Sequence, residues 1–327
     1  MKTQFDKASV MSATNSIELL DIVRSGNYFS ANGWSYETAD KYLFSVDGKL
    51  VEAGFYTHYA DDNMDRPIKQ VIELPTSYGC PMKCAYCASS FIADVTPLTA
   101  EVLYDITDTL MGAHEIYDGG ELLITLTGTG DACFTLGLIS EYIPYISQKH
   151  DNLWFTVSSC NWTREMIKTV EKLSVNYRFR NIQSTFISAN ENLVGQIIPG
   201  LQYTDHKISE LIEHITGSSF RNWRINYLML KSVNDDDESF AKFTEIIQPI
   251  KDKVVVRISS LNETIASNNN GLKPSALQRS KILQNMLKAN GINAYLFYSE
   301  HNDNMNCGQL VLESIITGAY QEYLTKR

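Results

Sequence analysis

Residues 77–90 read SYGCPMKCAYCASS and place Cys80, Cys84 and Cys87 in a CxxxCxxC spacing. This spacing lets one tight loop bring three thiolates to three corners of a 4Fe-4S cube. The fourth iron is then open to a ligand that carries an amino and a carboxylate group. A zinc site is the alternative, but structural zinc takes four protein ligands, and no fourth Cys or His lies close in the sequence. The loop therefore favours an iron-sulfur cluster.

Extended segments alternate with amphipathic helices from Pro75 onward. This alternation is typical of βαβ units and a parallel sheet, which can close fully, close partly or stay open. We predict an α/β fold with a partial barrel, in which the chemistry lies at the carboxyl ends of the strands. The predicted strands are LLITLT, LWFTVSS, RNIQSTFIS, WRINYLML, VVVRISSL and NAYLFY.

Two further elements are predicted before the cysteine loop. Residues 15–24, NSIELLDIVR, have helical apolar spacing with cap-type residues before them and a glycine soon after, which predicts a short helix. Residues 42–56, YLFSVDGKLVEAGFY, alternate apolar and polar around Asp-Gly, which predicts a β-hairpin. We divide the chain into an N-terminal extension (1–74), a barrel (75–300) and a C-terminal segment (301–327).

Composition limits the possible partners. The chain has 28 Lys and Arg against 38 Asp and Glu, and we find no basic stripe of the kind that binds phosphate backbones. No apolar run approaches the roughly 20 residues that span a bilayer, and no secretory signal is evident, so we expect a cytoplasmic protein without a membrane partner. Three of the six cysteines lie in one loop, which favours a metal or redox role over disulfides.

The CxxxCxxC loop, with Tyr86 inside it, resembles the radical-SAM superfamily, whose fold is a partial (β/α)6 TIM-like barrel. The resemblance implies a 4Fe-4S cluster, S-adenosylmethionine and an electron donor such as flavodoxin or ferredoxin. The strand LLITLT then runs into Gly128, Thr129, Gly130 and Asp131. Glycines let a backbone edge approach a ligand closely, so this edge is expected to bind the methionine amino group of the cofactor, although GxGD alone is equally typical of a simple turn.

A closer resemblance begins at the C-terminus, where MNCGQL carries Cys307. This setting is similar to that of the RlmN/Cfr family of methyl synthases, which methylate adenine carbons of RNA. NYLMLKSVND (226–235), SSLNET with Asn262, and LVEAGFY with Glu52 match the family too. The resemblance covers about residues 40–313.

The resemblance implies that Cys307 accepts a methyl group from one S-adenosylmethionine, while a second is cleaved to a 5′-deoxyadenosyl radical. That radical removes hydrogen from the methylated cysteine, and the resulting methylene adds to an sp2 carbon of the substrate. Glu52 matches the acceptor of the substrate proton. The positions that match cofactor-binding residues, besides those of the GxGD edge, are Ser158, Thr185, Ser188 and Asn262.

The chain departs from the family at several positions. Glu73 stands where the family has the second cysteine that releases the substrate, so we predict that Glu73 shares proton removal with Glu52. The alternative is that Glu73 faces solvent or pairs with Lys69 or Arg66. Release must then use another group, which can be Cys133, Cys160, an external thiol or a step unlike that of the family. Asp131 replaces the family's glutamate. The family's N-terminal RNA-binding domain has no counterpart, and SSFIADVTPLT and LFYSEHNDNMN carry no arginine.

These departures favour a non-ribosomal substrate, which can be a small molecule, a peptide or a nucleotide. We therefore predict a radical-SAM methyltransferase acting through Cys307 on an sp2 carbon of such a substrate. Three alternatives stay open: adenine methylation of RNA, hydrogen abstraction without methyl transfer, and a non-enzymatic iron-sulfur sensor.

Overall fold

The computed structural model describes residues 10–11, 16–29, 36–60, 65–203, 208–297 and 308–319. The strands in these ranges form one sheet of eleven strands that follow each other in chain order. Strands β1 to β5 pair antiparallel, and β5 to β11 pair parallel. The strands are β1 Val10–Met11, β2 Ser16–Phe29, β3 Tyr36–Val46, β4 Lys49–Tyr59, β5 Pro67–Glu73, β6 Glu121–Leu126, β7 Leu153–Ser159, β8 Arg178–Phe186, β9 Trp223–Met229, β10 Val254–Ser260 and β11 Ala294–Phe297.

Helices follow each parallel strand. The α-helices are α1 Ala100–Ala113, α2 Leu136–Lys149, α3 Arg164–Ser174, α4 Glu191–Ile197, α5 Ile208–Gly217, α6 Asp237–Ile247, α7 Ile265–Asn269, α8 Leu277–Ala289 and α9 Gln309–Thr317. Strands β5 to β10 are thus six βα units, and no described residue pairs β11 back to β5. The predicted α/β fold with a partial (β/α)6 barrel and the six predicted strands are confirmed. Within the described ranges, no helix has the length and apolarity to cross a bilayer.

Strand β9 shows why the chain folds around a polar cavity. Ile225 and Tyr227 are buried in the main apolar core, to which α1, α2, α3, α5, α6 and α8 contribute. Arg224 and Asn226 alternate with them and line a cavity on the other face of the sheet. Because side chains along a strand alternate between faces, the outer face packs on helices and the inner face stays polar.

The predicted hairpin is confirmed as β3 and β4. Val46 pairs with Lys49 across the turn, and Asp47 and Gly48 have φ of 50° and 76°. Both turn residues therefore adopt the left-handed conformation that a two-residue type I′ turn requires. This turn sets the register of the hairpin.

The predicted N-terminal helix at residues 15–24 is wrong, because residues 16–24 belong to β2, which pairs antiparallel with β3. The register shifts between Leu19 and Asp21. As a result Leu19 and Ile22 pack on the main core, whereas Leu20 and Val23 pack on a second cluster across the sheet. A bulge that reverses the faces produces apolar pairs three residues apart, and this spacing imitates that of a helix.

Candidate active site

Cys80, Cys84 and Cys87 line one cavity of about 1300 Å³ at the carboxyl edge of the parallel strands. Burial raises the pKa of Cys80, and the neighbouring Cys84 raises it further. Burial, followed by the effect of Cys84, raises the pKa of Cys87 to about 11. In the thiolate form these groups would repel one another, and the iron of a cluster would supply the positive charge that offsets this repulsion.

The three cysteines fit a cluster better than a single ion. No group of three His, Cys, Asp or Glu within the described ranges is placed to hold one metal ion. Ligands of a cube bind separate iron atoms and stand farther apart than ligands of one ion. The donor set therefore suits three corners of a 4Fe-4S cluster.

The cysteine loop is held by the segment that contains α4. Ala85 N donates to Ile197 O at 2.8 Å, and Gly200 N donates to Met82 O at 2.8 Å. A Cβ at Gly200 would lie 2.5 Å from Met82 Cα, so a larger residue would separate the two segments. The conformation of the loop is thus imposed by neighbouring elements.

The Gly128–Asp131 edge packs against the start of the cysteine loop. Thr76 N donates to Thr129 O at 2.7 Å, and Gly128 N donates to Leu74 O at 3.1 Å. Gly130 has φ of +112°, and a Cβ there would collide with Thr76 Oγ1. Glycine is therefore required at this edge, which lines the same cavity as the cysteines.

Asp131 is engaged by the protein itself. Its Oδ1 accepts hydrogen bonds from Ser159 Oγ at 2.5 Å and Cys133 N at 2.9 Å, and its Oδ2 accepts from Cys160 N at 3.0 Å. Burial raises the pKa of Asp131, and these hydrogen bonds oppose the rise. The carboxylate therefore ties the ends of β6 and β7 together, and its contact with a cofactor stays a prediction.

Three of the four other residues predicted to bind the cofactor face the cavity. Ser158, Thr185 and Asn262 line it at the ends of β7, β8 and β10. Ser158 Oγ also accepts a hydrogen bond from Gln183 Nε2 at 3.1 Å. Ser188 instead lies at a smaller pocket near α4, where its Oγ accepts from Asn190 N at 3.0 Å.

A buried lysine joins the two predicted catalytic carboxylates. Lys41 Nζ lies 3.0 Å from Glu73 Oε2 and 3.4 Å from Glu52 Oε1, and the side chains of Lys41 and Glu52 are each 1% exposed. Tyr56 OH donates to Glu73 Oε2 at 2.6 Å. Gly54 lies between Lys41 and Glu73 in the sheet and pairs with both. Because glycine has no side chain, Lys41 and Glu73 can meet across it. Glu73 therefore contacts Lys41 rather than lying in solvent.

Sequence reasoning missed Lys41 and Tyr56, although a signal was present. The Asp-Gly turn pairs Leu43 with Glu52 and Lys41 with Gly54. Lys41 and Glu52 are therefore diagonal neighbours on one face of the hairpin, at a distance that long side chains can bridge.

Glu52 also holds the segment that follows Cys307. Cys307 lies outside the described residues, but Gly308 N donates to Glu52 Oε1 at 2.6 Å and Val311 N donates to Glu52 Oε2 at 3.1 Å. The carboxylate thus caps the amino end of α9. Gly308 has φ of +78°, and a Cβ there would lie 2.5 Å from Ser89 N. Gly308, the residue after Cys307, therefore packs directly on the cysteine loop.

The two cysteines proposed for release occupy different environments. Cys160 is buried, its thiol hydrogen-bonds with Cys84, and it donates to Asp131 Oδ2 at 3.2 Å. Cys133 is half-buried near Thr163 and accepts from Asn161 Nδ2 at 3.5 Å. Of the two, Cys160 is the one in contact with a predicted cluster ligand.

Replacing Lys41 with methionine is expected to destabilise the protein by about 3–5 kcal/mol, because two carboxylates would lose their buried cation. The midpoint of urea unfolding measures this change. Lys49→Met is the matched control, since Lys49 pairs with Asp94 and both side chains are 34% exposed. A partly exposed pair contributes at most about 1 kcal/mol. Equal shifts in the two variants would contradict a structural role for the Lys41 network.

Comparison with known proteins finds relatives in sequence and in structure. No protein-family model matches the chain. It is 25% identical over 293 residues to the probable dual-specificity RNA methyltransferase RlmN of Pseudothermotoga lettingae, covering 86% of this chain and 78% of the relative. It is 24% identical over 284 residues to the protein of the same name from Clostridium botulinum, covering 83% of this chain and 75% of the relative. The crystal structure of a radical SAM methyltransferase from Sphaerobacter thermophilus superposes with a TM-score of 0.66 at 18% identity over 88% of this chain and 80% of that one.

The fold is that of a radical SAM methyltransferase, and the cysteine loop that lines its cavity fits the 4Fe-4S cluster and S-adenosylmethionine of radical-SAM chemistry. Within that class the chain is similar in sequence to the RlmN proteins, which are named as probable RNA methyltransferases.

Proposed function

We propose that this enzyme methylates an sp2 carbon of a nucleobase, with Cys307 as the carrier of the methyl group. The observation that supports the proposal is the anchoring of Gly308. This residue follows Cys307 in the chain, donates to Glu52 and packs on Ser89 in the cysteine loop. The anchor holds the residue after Cys307 against the loop that carries the predicted cluster ligands.

When bound, the cluster and S-adenosylmethionine supply the radical that activates an otherwise unreactive carbon. The chain supplies positioning and proton transfer. Cys307 accepts the methyl group, and Glu52 positions the segment after it, since both Glu52 oxygens accept backbone N–H groups. Of the two predicted catalytic carboxylates, Glu73 lines the cavity and Glu52 does not. We assign removal of the substrate proton to Glu73, with Lys41 and Tyr56 holding its carboxylate.

The names of the relatives support RNA as the source of the nucleobase. The second candidate is a non-ribosomal small molecule. It is favoured by the cationic residues at the base of the cavity, among them Arg224 and Arg257, because these side chains lie inside the barrel.

The proposal is tested by the intact mass of the protein after expression with S-adenosylmethionine available. A species heavier by one CH2 unit, with the mass localised to Cys307, is expected. Binding of an RNA fragment is then measured against salt concentration, since phosphate contacts give a steep salt dependence. A protein that methylates substrate without ever carrying a methyl group on Cys307 would contradict the carrier role.

Glu73→Gln keeps the shape of the side chain but removes the proton acceptor. The substrate carbon is expected to remain bonded to the carrier, so a protein-substrate adduct on Cys307 should accumulate and be visible by mass spectrometry. Tyr56→Phe is the control, because it removes one hydrogen bond to Glu73 and leaves the carboxylate. Full turnover of Glu73→Gln without adduct would leave Glu73 with no catalytic part.

A further inference from the structure

The cavity has a second polar region at the opposite end of the barrel from the cysteines. The amino-terminal halves of β5, β8 and β9 and the middle of β10 carry a cationic cluster that lines the cavity: Lys69, Arg180, Arg224 and Arg257. Glu121, at the start of β6, is the carboxylate that pairs with this cluster, and its Oε2 lies 3.7 Å from Arg180 Nη1. Glu37, Glu73 and Asp252 line the same cavity. Positive charge therefore exceeds negative charge within this cluster of strand residues.

Two of the guanidinium groups lie side by side. Arg224 Nη1 and Arg257 Nη1 donate to the same oxygen, Gln183 Oε1, at 3.5 and 3.3 Å. The Arg257 guanidinium lies 3.4 Å from the centre of the Phe297 ring, and the Arg224 guanidinium lies 5.9 Å from that of Tyr295. The aromatic rings hold the guanidinium planes in place, while a neutral amide does little to reduce the repulsion between two cations.

The guanidinium group of Arg224 is largely buried and only partly satisfied by hydrogen bonds. Its Nε is buried and has no hydrogen-bond partner among the described residues. Burial lowers the pKa of Arg224, Tyr295 opposes this, and the neighbouring Arg180 lowers it further. Burial likewise lowers the pKa of Lys69 to about 8, although Glu121 opposes the change. A bound anion would relieve both effects.

We propose that the cationic cluster binds the terminal phosphate of a small-molecule substrate, such as a nucleoside monophosphate. This inference rests on the proposed methyl transfer, because the cavity that contains the cluster also contains the cysteines. Neighbouring guanidinium groups suit phosphate oxygens, which they bind in pairs. The position of Arg224 and Arg257 inside the barrel fits a terminal phosphate better than an internal phosphodiester of folded RNA.

The distance along the barrel sets the shape of this substrate. Arg224 lies near the start of β9, and the carboxyl end of the strand is about 16 Å away at about 3.3 Å per residue. The substrate would therefore be elongated, with the phosphate at the base of the barrel and the reacting carbon towards the cysteines.

Calorimetric titration of the reconstituted, anaerobic protein with inorganic phosphate and with adenosine 5′-monophosphate tests the inference. Saturable binding at one site is expected. Arg224→Gln should weaken it about tenfold or more, the effect of losing a hydrogen bond to a charged group. Arg178→Gln is the matched control on the same strand as Arg180, because Arg178 is exposed over the Trp154 ring and does not line the cavity. It should leave the affinity unchanged.

Iron content and cofactor cleavage are measured on every variant, and Lys69→Gln replaces Arg224→Gln if the latter loses its iron. Absence of saturable phosphate binding by the unaltered protein would overturn the inference, as would equal weakening in the Arg224 and Arg178 variants. Binding of an RNA oligonucleotide without terminal phosphate that is equally sensitive to Arg224→Gln would assign the cluster to RNA and also overturn it. Failure of the proposed function is seen separately, as unmethylated Cys307 in a protein that still binds phosphate.

Discussion

Replacing Cys84 with alanine is expected to abolish the iron-sulfur cluster and, with it, all cleavage of S-adenosylmethionine. Cys84 is the middle ligand of the loop, and its thiolate affects the pKa of both Cys80 and Cys87. Two remaining thiolates cannot hold three corners of a cube. Anaerobic reconstitution followed by iron and sulfide analysis measures the loss, against about four of each in the unaltered protein.

Cys133→Ala is the control for this experiment. Cys133 is a half-buried cysteine near Thr163, and it does not line the cavity. The variant should bind iron and sulfide as the unaltered protein does. Unchanged iron and sulfide in Cys84→Ala would show that the loop has been assigned the wrong chemistry.

Cys307→Ala is expected to separate the two halves of the reaction. The cluster ligands and the Gly128–Asp131 edge are untouched, so the variant should still cleave S-adenosylmethionine to 5′-deoxyadenosine. Methylated product should be absent, because no sulfur is left to carry the methyl group. Liquid chromatography with mass spectrometry quantifies both compounds in the same sample.

A control variant is needed to interpret a loss of methylated product in Cys307→Ala. Arg178→Gln, at an exposed residue outside the cavity, keeps Cys307 and should keep both activities. A Cys307→Ala variant that loses cofactor cleavage as well would show that the substitution disturbs the cluster through Gly308 and Ser89. Methylation by Cys307→Ala at the normal rate would exclude the carrier mechanism.

The parallel strands and the hairpin were predictable because their signals are local. Each strand of the barrel carries an apolar face that packs on helices, and the Asp-Gly turn sets one register for β3 and β4. The helix predicted for residues 15–24 was wrong because of the bulge in β2. Pairing with β3, rather than local spacing, decides which face of the sheet each apolar residue occupies. Whether the three predicted parts of the chain are separate units remains a prediction.

The chemistry of the cysteine loop was evident from the sequence because all three ligands lie within one short segment, and the glycine edge behind it was evident for the same reason. The contacts between residues that are distant in the chain were not evident from the sequence. Glu52 and Gly308 are 256 positions apart, yet they share a hydrogen bond of 2.6 Å. The cationic cluster is likewise drawn from four strands whose spacing shows no basic stripe along the chain. Only the curvature of the parallel sheet and the packing of α9 on the hairpin bring these groups together, because a side chain's neighbours across a sheet depend on strand order and register, which no local pattern encodes.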